Sequence, residues 1–116
     1  MAISEAFSGT ATIGVTEWDL ASNTSFVADV NATDGVYQCI LDMSALATTD
    51  EFVLRMYEKV VSAGSQRLVE SWTFLGPQGS PHFTTPAVIL LHGWAYTLQK
   101  VSGTDRSITW SIRSVA

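Results

Sequence analysis

The sequence predicts an all-β protein: an antiparallel β-sandwich, jelly-roll-like in its connections, with about eight strands. Three observations lead there. Apolar residues recur with a period of two, as where Ile108, Trp110 and Ile112 alternate with Thr109, Ser111 and Arg113. Turn residues punctuate the chain at short intervals, at 31–35, 48–50, 63–65, 76–81 and 103–105. Helical periodicity is weak throughout, and "MSALATTD" has room for no more than one helical turn.

Taken in order, strands are expected at 10–14 with a continuation to 18, then at 25–30, 35–43, 51–61, 66–75, 87–91, 94–101 and 106–113. Residues 1–9 carry Ile3 and Phe7 without a pattern and are expected to form an arm that docks on a neighbour, which leaves 10–116 as a single sandwich domain. Two hairpins are patterned well enough to suggest pairing. In the last, a loop over 101–105 would set Leu98, Tyr96 and Trp94 opposite Ile108, Trp110 and Ile112. That register places Thr97 opposite Thr109 and Ala95 opposite Ser111 on the reverse side, with Lys100 and Arg106 meeting near the loop. In the middle hairpin, Phe52, Leu54, Met56 and Val60 face Leu68, Trp72 and Phe74, while Glu58 and Glu70 intrude on the same side.

A chain of 116 residues can bury a core without staples. Cys39, the single cysteine, reads as a small buried side chain, and there is no Cys/His cluster for zinc. The amino terminus resembles no signal or transit peptide, and no apolar run is long enough to span a membrane. A formal charge of -5 argues against nucleic acid as a partner. Charged residues make up only 15%, against about 25% in an ordinary soluble domain. Hydroxyls replace them: Ser and Thr number 26, 13 of each. A surface so poor in ions fits a homo-oligomer or a larger assembly, in which other chains cover part of it.

Side chains with catalytic potential are few. Glu58 and Glu70 are the best acid/base pair, but no further polar groups accompany them. His82 and His92 have no second ligand at metal spacing and no nucleophile turn. The glycines stand singly at turns, so no phosphate cradle exists. The expectation is therefore a non-enzyme with no cofactor or metal. Trp72, Trp94 and Trp110 are in phase with core positions, whereas Trp18 and Tyr57 are less clearly placed and are candidates for partner contact. With Ile3, Phe7, Thr97, Thr109 and Ser111 they make up the candidate interface.

The stretches "ATIGVTEWDL", "DGVYQ", "LRMYEKV", "GSQRLV", "LLHGW" and "GTDRSITWSIR" resemble small structural proteins of tailed-bacteriophage virions. The resemblance spans most of the chain and rests on turns and strand cores. It implies a virion location and a decoration or cement role on the head shell, with the major capsid protein as partner. It also covers head-tail and tail or fibre accessory proteins. A carbohydrate-binding module for host attachment is the competing expectation: two or three coplanar rings on a solvent-facing surface would favour it, and buried rings would favour a purely structural role.

Overall fold

The period-two alternation resolves into two five-stranded antiparallel sheets. A computed structural model describes residues 2–28, 31 and 33–115, with ten strands: β1 (Ile3–Ile13), β2 (Trp18–Asp19), β3 (Thr24–Ser25), β4 (Gly35–Asp42), β5 (Glu51–Glu58), β6 (Arg67–Leu75), β7 (His82–Thr84), β8 (Val88–Leu90), β9 (Ala95–Ser102) and β10 (Arg106–Val115). One sheet runs β1-β10-β4-β7, with β8 also alongside β4; the other runs β3-β2-β9-β5-β6. The pairings are nested: β1 with β10, β2 with β9, β4 with β7 and β8, β5 with β6, alternating between sheets. The two sheets make a β-sandwich, each burying one face against the other.

The inward residues are those that the alternation selects. Tyr37, Cys39 and Leu41 of β4, with Ile108, Trp110 and Ile112 of β10, meet Phe52, Leu54 and Met56 of β5 and Tyr96 and Leu98 of β9. Gly9 lets β1 approach this layer, since a Cβ there would stand 2.8 Å from Cζ2 of Trp110. Burial pushes the Cys39 thiol far up, which keeps it protonated and inert.

Several expectations are corrected. Strands β9 and β10 are not a hairpin: they belong to different sheets, so the pairs Leu98–Ile108, Tyr96–Trp110 and Trp94–Ile112 do not form. The apolar side chains of both strands do point at one core, but across the sandwich. Lys100 pairs with Asp105 and Arg106 with Asp50. The arm expected over 1–9 is the first half of β1, paired with β10 from Ile3–Val115 onward. Between β4 and β5 there are turns and no helix. The β5–β6 hairpin forms as expected at Phe52–Phe74 and Leu54–Trp72, but a bulge shifts the register, so that Glu70 faces Met56 and Glu58 faces Arg67. Val60 lies beyond β5 and is exposed. The expected strand over 25–30 shortens to β3; Asp29 and Val30 lie outside the described residues.

Asp50 pins the loop between β9 and β10 to the start of β5. Its buried carboxylate accepts from Arg106 Nε at 2.6 Å, Thr104 N at 3.0 Å and Ala47 N at 2.8 Å. The Arg106 hydrogen bond, followed by those from the Thr104 and Ala47 amides, holds the carboxyl down to about 2. A folded-state value below the unfolded one gives stability that is present above about pH 4 and lost as pH falls toward the folded value. The difference in Tm between wild type and Asp50→Asn is therefore expected to be large at neutral pH and to shrink steadily on acidification to about pH 2. Differential scanning calorimetry across that range checks it; a constant difference would mean that the carboxylate charge is not what holds the loop.

Candidate functional site: the outer face of the β1–β10–β4 sheet

Opposed residues in a ladder point to the same side of a sheet, so the register places the outward side chains in rows. Ile3, Val115, Val36 and Ile89 form one row across β1, β10, β4 and β8. The next is Glu5, Arg113 and Gln38. Then come Ser8, Ser111, Ile40 and Thr84, and after them Thr10, Thr109, Asp42 and His82. A bulge between Glu5 and Phe7 turns Glu5 outward; unbroken alternation would have directed it into the core along with Phe7.

This arrangement answers why the outward side of β10 is built from Thr and Ser. Small hydroxyl side chains in the two hydroxyl rows leave a shallow basin of about 440 Å³, with Glu5, Arg113, Asp42 and His82 at its margin. Within it Thr10 and Thr109 share a hydrogen bond of 2.8 Å. The Ser111 hydroxyl donates to Glu5 at 2.6 Å and accepts from Arg113 Nε at 3.3 Å. The Ser111 and Ser8 hydroxyls, aided by the Arg113 charge, hold the Glu5 carboxyl below its ordinary range. Asp42 is held down by the hydroxyl and amide of Ser44, with His82 adding to the effect. Both carboxylates are therefore ionised at neutral pH, and they alternate with cationic or neutral partners.

The outermost row is apolar and uncovered: Ile3 is 67% exposed, Ile89 80% and Val115 36%. A second hollow, of about 230 Å³, lies against Ile3, Val36, Gln38 and Arg113. Leu91, just past β8, is exposed, as are Val60 and Val61 past β5. The tip of the β5–β6 hairpin is fastened to the stretch past β8, because Leu91 N donates to Glu58 at 2.6 Å, Lys59 N to His92 O at 3.0 Å and Gln66 Nε2 to Gly93 O at 2.5 Å.

Of the residues expected at an interface, Ile3, Thr109 and Ser111 lie on this face. The other four do not. Phe7 packs its edge on Trp94, with centroids 5.9 Å apart. Trp18 is half-buried, and its indole donates to Asn23 at 2.9 Å. Thr97 is fully buried, and its hydroxyl donates to Glu17 at 2.5 Å. Tyr57 stacks on Phe26 at 4.9 Å and donates to the same Glu17 oxygen at 2.6 Å. Burial and the Glu17 carboxylate push the Tyr57 hydroxyl up to about 12. Glu17 thus straps the segment after β1 across the other sheet, and Thr97 and Tyr57 serve that strap. Glu58 and Glu70 face different residues, so no carboxylate pair assembles. Trp94 and Trp110 are buried, and Trp72 leans on Phe83 at 5.9 Å.

Among the described residues, no group of three His, Cys, Asp or Glu side chains is placed to hold a metal ion, and no helix is long and apolar enough to cross a membrane. No protein-family model matches the sequence, and no curated protein does either. The crystal structure of the Yersinia pseudotuberculosis-derived mitogen (YPM) superposes on the chain with a TM-score of 0.54 and 12% identity, over 99% of this chain and 86% of that one. At that identity the likeness is one of fold.

Proposed function

We propose that this chain is a non-enzymatic structural protein of a phage virion, arranged in symmetric copies that bind the head shell as a decoration or cement protein. The observation that carries the reading is the apolar row Ile3–Val115–Val36–Ile89, in which Ile3, Val115 and Ile89 are exposed and Val36 is half-buried. Exposed apolar side chains aligned in one row mark a protein contact. The low charge of the chain supports the same reading, as does the virion resemblance of its turns and strand cores. Repeated over many symmetry-related sites, modest patches add through multivalency and resist the outward pressure on a shell. A head-tail or tail accessory position would use the same row on a different partner.

The test is reconstitution on shells that lack the protein. Added wild type is expected to bind in many copies and to raise the temperature at which shells rupture. The double variant Val36→Asp, Ile89→Asp, which alters outward side chains, is expected to keep its own Tm within a few degrees and to lose shell binding. Shells that rupture at the same temperature with and without the protein would overturn the proposal.

A further inference from the structure

The hydroxyl basin lies about 13 Å along the strands from the apolar row, two outward rows away. Arg113 borders both the basin and the hollow against that row, while Ser8, Thr10, Thr109 and Asp42 line the basin alone. We propose that the basin is a binding site for a neutral polyhydroxyl ligand, a hexopyranoside unit of a glycan, recognised by hydrogen bonds.

The chemistry of the lining selects this class. The protons of Ser8 and Ser111 are turned to Glu5 and one proton joins Thr10 to Thr109, so the lining faces a ligand chiefly with acceptor lone pairs, which suit the donor hydroxyls of a sugar. The two ionised carboxylates, Glu5 and Asp42, are strong acceptors for sugar hydroxyls. The margin does not suit ions. Arg113 is the guanidinium at the basin and stands opposite Glu5, so an anion meets no uncompensated cation. Glu5 and Asp42 lie on separate strands and separate rows, each with its own hydroxyl partner, and do not converge on a cation. The volume of about 440 Å³ falls within the usual range of about 300–1,000 Å³ for small-ligand sites. The tryptophans take part in packing, so recognition here dispenses with a stacking platform and relies on polar contacts alone.

The experiment is a titration of the isotope-labelled full chain, followed through its backbone amide signals by NMR. The probes are methyl α-D-glucopyranoside, methyl β-D-galactopyranoside, methyl α-D-mannopyranoside and N-acetylglucosamine, with inorganic phosphate and lysine amide as charged controls. At least one sugar is expected to give saturable shifts confined to β1, β4, β7 and β10 around the basin. Ser8→Tyr, which fills the basin from an exposed strand position, is expected to weaken them at least about tenfold. Asp42→Asn, which keeps the shape and removes the charge, is expected to weaken them as well. The proposal is overturned if no sugar gives saturable shifts, if the shifts survive both substitutions, or if phosphate or lysine amide binds more tightly than every sugar. Shells play no part in this measurement, so its failure leaves the assembly reading standing, and the reverse also holds.

Discussion

Trp94→Ala is expected to cost about 3–5 kcal/mol of unfolding free energy, a large share of what a domain of this length has at about 0.05–0.15 kcal/mol per residue. Trp94 is fully buried and sits where the two sheets meet. Its ring touches Tyr37 at 4.5 Å and Phe7 at 5.9 Å from one sheet, and Tyr96 at 6.0 Å from the other. Its indole donates to Thr33 O at 2.8 Å, and its backbone amide to Asn31 O at 2.9 Å. Truncation therefore opens a cavity among three aromatic rings and removes one of the two donors to the Thr33 carbonyl, the other being the Tyr37 hydroxyl at 3.0 Å. Trp94→Phe fills most of the space and should lose only about 1–2 kcal/mol. Urea unfolding followed by circular dichroism gives both values; a loss below about 1 kcal/mol for the alanine variant would mean that the sheets hold together elsewhere.

Gly103→Ala is expected to lower Tm by on the order of 10 °C. Two independent costs coincide at this residue. Its φ of 94° lies where a side chain is strained, at roughly 1–3 kcal/mol. A Cβ would also stand 2.7 Å from Asp50 Cα and 2.9 Å from Thr49 O, and these are backbone atoms that cannot rotate aside. The displaced residue is the one whose carboxylate holds Arg106, Thr104 and Ala47, so the damage spreads to every element that meets there. Gly79 is the control: a Cβ on it meets nothing within 4 Å, and Gly79→Ala should leave Tm within about 1 °C. Equal Tm changes for the two variants would refute the steric account.

What the sequence revealed, and what it hid, follows from what alternation encodes. A period of two reports which side chains face the core. It does not report which strand lies alongside. Hence the burial of Trp94, Trp110 and Cys39 was legible, and so was the β5–β6 hairpin, whose partners are joined by a short loop. The β9–β10 pairing was misread because two strands that face each other across a sandwich carry the same pattern as two neighbours in one sheet. The first half of β1 looked patternless because its outward side is small and hydroxylated and its bulge breaks the alternation near Glu5. Strands β2, β3, β7 and β8 span two or three residues each, too few for periodicity to register.

The candidate site divided along the same line. Thr109 and Ser111 were suspected for their unusual outward chemistry, and they sit at the centre of the basin. Thr97 looked equivalent but lies beneath Glu17, which approaches from 80 residues away in sequence. Glu5, Asp42, His82 and Arg113 could not have been assembled beforehand, since they come from four strands whose adjacency depends on long-range pairing.

The placement of β10 has a consequence for biosynthesis. Strand β10 lies between β1 and β4, so during translation β1 waits beside an empty slot until β10 has been made. No product that stops short of β10 can close that sheet, and the core stays open to water until that strand has left the exit tunnel. A chain that stops before β10 therefore keeps its core open, an expected target of proteolysis.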